Sequence, residues 1–226
     1  MKRIASIFNK QLSRSLTIHQ WLLLSSAFSI FLLLCRIVIT NQLHYAFLVW
    51  NLLLAWVPYF ISNWLLKHML ILKAKIKPAL LIFLWLLFMP NTFYIITDLF
   101  HLGGRAAGHQ WLDLTIILSF AWTGILLGVI SIRRMDMILS SVRGKLFASL
   151  VVCFVMWLNA FGIYIGRYLR FNSWDVITKP FSLFDEISSI LFNPYDHRWV
   201  WAMTICFSLF MIMLYHTIRK LSDAFR

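Results

Sequence analysis

A chain of 226 residues that is 61% apolar, 13% charged and carries a formal net charge of +13 has more apolar surface than a soluble domain of that size can bury. In a soluble protein such an excess of bases would point to nucleic acid. Here the bases sit in short segments beside apolar runs, the pattern that sets membrane topology and attracts anionic headgroups, so no nucleic-acid partner is expected.

A basic stretch (Lys2, Arg3, Lys10, Arg14) precedes the first apolar run. That run is longer than a signal-peptide core and no small-x-small site follows it, which predicts an uncleaved helix over about 20–40. A spanning helix needs about 20 apolar residues, and five more runs qualify, at about 45–66, 78–98, 111–132, 146–168 and 199–217. Trp21, Tyr45, Trp64, Trp111, Tyr168, Trp199 and Tyr215 mark many of their ends, as headgroup-level anchors do. With the N-terminus inside, the inner segments hold 15 of the 21 Lys and Arg and only 2 of the 8 acids, Asp136 and Asp223. The outer segments hold 6 bases and 6 acids. The positive-inside bias therefore predicts cytoplasmic termini. Bases after the second span (Lys67, Lys73, Lys75, Lys77), after the fourth (Arg133, Arg134, Arg143, Lys145) and at the chain end (Arg219, Lys220, Arg226) carry that bias.

Between spans five and six, Phe181, Phe184, Ile187 and Leu191 recur at helical spacing, with Asp185, Glu186, Ser188 and Ser189 on the other face. Pro180 opens this element and Asn193-Pro194 stops it, which predicts an interfacial helix over about 181–192. It is too short to span and is expected to lie flat on the outer leaflet or to fold over the outer mouth. The predicted fold is all-α: a polytopic transmembrane bundle of six spanning helices plus one short interfacial helix, one integral membrane domain over 1–226. Cys35, Cys153 and Cys206 all fall inside apolar runs without CxxC spacing, which argues against a disulfide framework or a thiolate metal site.

Three polar groups interrupt this pattern near outer span ends. In the third span, Pro90 removes an amide donor and predicts a kink, with Asn91 and Thr92 available to help locally. At α-helical pitch Asn91, Tyr94, Asp98 and His101 share one stripe, and Asp98 with His101 suits a general acid or base; the alternative is a helix end meeting interfacial water. In the fourth, Asp113 follows Trp111, and a favourable place at a helix N-terminus alone accounts for it. Gly124 and Gly128 predict close helix packing there, and Gly162 and Gly166 do so in the fifth span. Beyond them crowd Arg167, Arg170, Asn172, Trp174 and Asp175. Two arginines in one helical turn suit a phosphate or carboxylate, unless they snorkel to lipid or pair with Asp98, Asp113 and Asp175. Arg36, in the outer third of the first span, calls for a carboxylate or anion. Asp98, His101, His109 and Asp113 match no zinc signature, so no metal is expected, and no cofactor follows from the sequence.

The segments PNTFYIITDLFHL, WLDLTIILSFAWTG and FGIYIGRYLRFNSWD resemble the hallmark motifs of an uncharacterised bacterial membrane-protein family, domain of unknown function 1361, from about Trp50 to the chain end. The resemblance implies a bacterial polytopic membrane protein and transfers no activity, cofactor or site. The charge bias places the motif's polar residues at one face. There Asp98 and His101 are the candidate catalytic pair, and Arg167, Arg170, Asn172, Asp175, Asn91, Tyr94 and Asp113 the candidate substrate-binding set, in a cup of mixed charge. The expected function is a bacterial inner-membrane enzyme acting on a lipid or lipid-linked anionic substrate at the extracytoplasmic face, with membrane lipids as partners. A transporter, for which Pro58 and Pro90 supply broken helices but no internal repeat exists, and an assembly scaffold are the alternatives.

Overall fold

The computed structural model describes residues 16–68, 76–102 and 110–224; at Ile76, Lys77 and His101 only the backbone is described. Expectations resting on Lys2, Arg3, Lys10, Arg14, Lys73, Lys75, His109 and Arg226 lie outside the described residues. In chain order the helices are α1 (Ile18–Thr40), α2 (Phe47–Lys67), α3 (Ile76–Phe88), α4 (Pro90–Tyr94), a 3₁₀ segment (Ile95–Leu102), α5 (Gln110–Arg143), α6 (Lys145–Arg167), α7 (Asp175–Thr178), α8 (Pro180–Phe192) and α9 (Arg198–Ala224). Among the described residues six helical stretches are long and apolar enough to cross a membrane, the third being Pro78–Phe100 across the α3–α4 break. The protein is a multi-pass, all-helical integral membrane protein.

Helix ends follow local chemistry. Thr17 and Gln20 form a capping box at the start of α1, and Asn41 in the left-handed region ends it. Two spans run longer than their apolar windows: α5 continues through Arg133, Arg134 and Arg143, and α9 through Arg219 and Lys220. Long cationic side chains are good helix formers and snorkel, so the helix continues where the apolar run stops. Gly144, at φ 88, then turns the chain directly into α6.

The expected break at Pro90 is present, with Met89 separating α3 from α4. Its carbonyls are served by side chains. Asn91 Nδ2 donates to Phe88 O at 3.0 Å, the Thr92 hydroxyl to Met89 O at 2.8 Å, and the Ser173 hydroxyl to Leu87 O at 3.2 Å. Both small-residue pairs grip this short helix. A Cβ on Gly124 or Gly128 would lie 2.5 Å from Thr92 O or Oγ1, and one on Gly162 would lie 2.7 Å from Pro90 Cγ. Gly166 faces the Tyr94 ring. α4 is thereby clamped between α5 and α6.

α5 is the central helix, packing on α1, α2, α4, the 3₁₀ segment and α6, while α9 packs on α6. Asp113 and Asp136 mark its two ends; their separation along the helix is roughly 35 Å at about 1.5 Å per residue, matching a hydrocarbon core of about 30 Å. α8 forms as expected, but its apolar stripe divides. Leu183 and Ile187 face the bundle, and Ile190 is buried against Phe161 and Val200. Phe181 and Phe184, at 83% and 70% exposure, point outward. The expected face is corrected in register: Ile190, between the predicted positions, takes the buried place because the helix docks on α6 and α9 at that point.

Candidate functional site

The Asp98 end of the bundle holds two separate buried ion pairs. Arg167 Nη1 donates to Asp98 Oδ1 at 2.9 Å, and Asn51 Nδ2 on α2 donates to Asp98 Oδ2 at 3.2 Å. Asp98 is 0% exposed, and the Arg167 guanidinium also lies 5.9 Å from the Tyr94 ring and 5.7 Å from the Phe100 ring. On the α1 side, Arg36 grips Asp113 with both Nε and Nη2, and the Tyr45 hydroxyl adds a bond to Asp113 Oδ2 at 3.2 Å. Arg36, 4% exposed, also packs over the Tyr45 ring at 4.6 Å. The carboxylate its depth demanded is thus Asp113, which serves a structural pair rather than a shared cup.

Local backbone explains why the sequence-predicted stripe does not survive intact. Asn91 and Tyr94 are α-helical, but from Ile95 the chain is 3₁₀. Each 3₁₀ residue advances about 120°, so Asp98 is turned roughly a quarter turn from its α-helical position. It points into the bundle toward α2 and α6, whereas Asn91 and Tyr94 line a cavity. The His101 side chain lies outside the described residues, and with it the expected Asp98–His101 contact. Among the described residues no three His, Cys, Asp or Glu side chains gather as metal ligands would.

The two arginines also part company. α6 ends at Arg167, and Arg170 sits beyond it at φ 60, exposed and without an ion pair to any described residue. The two-arginine helical turn does not form, because the chain enters the left-handed region there to lead into α7. Asp175 is consumed by that turn: it accepts from the Asn172 backbone N–H at 2.7 Å and the Thr178 hydroxyl at 2.8 Å. The Asn172 N–H, followed by the Thr178 hydroxyl, holds its carboxyl below the ordinary range.

A cavity of about 690 Å³ opens between α2, α3, α4 and α6, with α7 and α8 across it. This is within the size range of small-molecule sites. Its walls are largely apolar and carry no charged side chain. Polarity comes from Asn51, Asn91, Asn172 and Ser173, with the rings of Tyr94, Trp50 and Trp157. Of the expected site residues, Asn91, Tyr94 and Asn172 meet here. Asp98 and Arg167 lie directly behind Asn51, Arg170 flanks the wall residue Phe171, and Asp113 of α5 stands apart, paired with Arg36 of α1. Sequence reasoning passed over Asn51, although a lone carboxamide in an apolar span is a signal in its own right. It also passed over Ser173, for which no signal existed.

Residues 50–214 match a family model described as "Protein of unknown function (DUF1361)", and the chain belongs to that family. The matched segment contains the whole cavity wall and the Asp98–Arg167 pair; Arg36 lies outside it. No curated protein and no solved structure matches the chain.

Proposed function

We propose, for this member of a family described without an activity, an enzyme of the bacterial inner membrane that acts on a lipid or lipid-linked anionic substrate at the extracytoplasmic face. The observation that carries the reading is the apolar cavity set one side chain, Asn51, away from a buried carboxylate–guanidinium pair. An apolar tail fits the walls, and Arg170, exposed beside the wall residue Phe171, is the cation available to an anionic headgroup. A ligand that draws Asn51 away from Asp98 would free one carboxylate oxygen to accept a proton from a hydroxyl or water, with Arg167 still holding the other. By its three-residue spacing in the sequence, His101 is the proton partner we assign to Asp98. The charge bias of the sequence supports cytoplasmic termini, which places this end of the bundle outside.

One observation favours a transporter as the second reading: the break at Pro90 lies on the cavity wall, as discontinuous helices do at transport sites. Beyond it, however, Met89, Phe93 and Met156 pack as buried apolar side chains against that wall.

The test is complementation of a deletion strain. Wild type is expected to restore the membrane lipid profile, and Arg170→Ala, an exposed change, to insert and melt normally while failing to restore it. Asp98→Asn is expected to fail equally. A deletion strain whose lipid profile equals that of its parent overturns the reading.

A further inference from the structure

The polar part of the cavity wall is built from carboxamides, and their orientation is forced. Asn51 Nδ2 faces Asp98 Oδ2 at 3.2 Å, Asn91 Nδ2 faces Phe88 O at 3.0 Å, and Asn172 Nδ2 faces Asp175 Oδ2 at 3.4 Å. A carbonyl and the two ion-paired or capped carboxylates only accept hydrogen bonds, so each amide must turn its NH₂ toward the protein. Asn91 spends both of its N–H groups and keeps a carbonyl oxygen, while Asn51 and Asn172 each keep a carbonyl oxygen and one further N–H; among the described residues none of the three oxygens receives a donor. Ser173 is committed as well, accepting from Asn91 Nδ2 at 3.1 Å and donating to Leu87 O at 3.2 Å.

This donor and acceptor pattern discriminates between headgroups. A fully ionised phosphate or carboxylate brings only acceptors; it can accept from the remaining N–H groups but leaves the three carbonyl oxygens unmet and is repelled by their dipoles. No cation lines the wall to offset that. A hydroxyl both donates and accepts, so it answers the carboxamide oxygens and equally the indole N–H groups of Trp50 and Trp157 and the Tyr94 hydroxyl. Resting on the lipid reading above, we infer that the cavity selects an anionic lipid whose head also carries hydroxyls. The hydroxyl-bearing part lodges against Asn51, Asn91 and Asn172, and the charge stays beside Arg170.

The experiment uses purified full-length protein in detergent micelles. Phosphatidylglycerol, phosphatidic acid, a glycosyl diacylglycerol and phosphatidylcholine with matched acyl chains are offered in equal amounts, and bound lipid is counted by native mass spectrometry. Phosphatidylglycerol is expected to be retained about tenfold over phosphatidic acid, the scale of one or two hydrogen bonds. Asn172→Leu, which keeps the backbone bond to Asp175, is expected to remove that preference without lowering the melting temperature, and Asn172→Gln to keep part of it. Equal retention of phosphatidylglycerol and phosphatidic acid overturns the inference and leaves the anionic-lipid reading standing. A preference that survives both Asn172→Leu and Asn51→Leu also overturns it. A glycosyl diacylglycerol held as well as phosphatidylglycerol overturns the anionic requirement in both the inference and the parent reading. No lipid held above phosphatidylcholine overturns both.

Discussion

The two ends of the bundle bury a carboxylate in opposite ways. At one end Asp136 on α5 is closed in by the Tyr215 hydroxyl at 2.8 Å, Arg219 Nη1 at 3.3 Å, Arg133 Nη1 at 3.6 Å and the Ser140 hydroxyl at 3.4 Å. Its donors come from α5 and α9, and no cavity-lining residue is among them. At the other end Asp98 holds, among the described residues, Arg167 and Asn51, and Asn51 is itself cavity wall. The first arrangement fastens two helices. The second gives a ligand a way to compete. Burial of charge is common to both; what separates a fastener from a candidate site is whether one of the partners also faces open space.

That contrast breaks most severely at Asp98. Asp98→Ala leaves the Arg167 guanidinium buried without a counter-charge and is expected to cost about 3–5 kcal/mol of unfolding free energy in micelles. The double variant Asp98→Ala/Arg167→Leu should recover most of that loss; a double variant as unstable as the single one would show that the pair is not what holds this end. Next in size is the glycine clamp. Gly128→Val drives a side chain onto Thr92, and a cost of about 1–3 kcal/mol is expected. Because Asn91 rides on α4, lipid retention should fall in the folded fraction too.

Asp136→Asn sharpens the comparison from the other side. Its neighbours keep a neutral acceptor, so a loss of about 1–2 kcal/mol is expected, with lipid retention unchanged. A drop in retention matching that of Asp98→Asn would erase the distinction between the two ends. The smallest effect concerns Asp175. Its carboxyl titrates below its ordinary value in the folded protein, so its contribution is complete above the usual carboxylate range and is lost as pH falls through the lowered value. Amide exchange over residues 172–178 should therefore quicken in acid, and Asp175→Asn should exchange fast at every pH. An acid response that persists in Asp175→Asn would assign it to another group.

Much of the frame was legible beforehand, for identifiable reasons. The six spans follow from apolar length. The Pro90 break follows from a missing amide donor, a close-packed helix from each glycine pair, and the need for a carboxylate or anion at Arg36 from the cost of leaving a guanidinium alone in an apolar span, whereas that α4 and Asp113 fill those places does not. The site was legible only in its parts. Extended through Ile95, α-helical pitch puts Asp98 on the Asn91–Tyr94 stripe, but the chain changes there to 3₁₀. Spacing groups Arg170 with Arg167, and its left-handed backbone separates them. The charge pattern makes Asp136 an inner acid and carries no hint that Tyr215, far along the chain, meets it.

Taken alone, the sequence determined that this is an all-helical membrane protein, how many times it crosses and where one crossing is broken, because each depends on the summed transfer energies and backbone capacities of neighbouring residues. Only the tertiary structure decided which charges cancel, which carboxamides turn their nitrogen atoms inward, and that the polar set divides into two ion pairs and an uncharged cavity. Those outcomes depend on helix pitch and on the register between helices distant in the chain, where a quarter turn moves a carboxylate from a cavity wall into the packed interior.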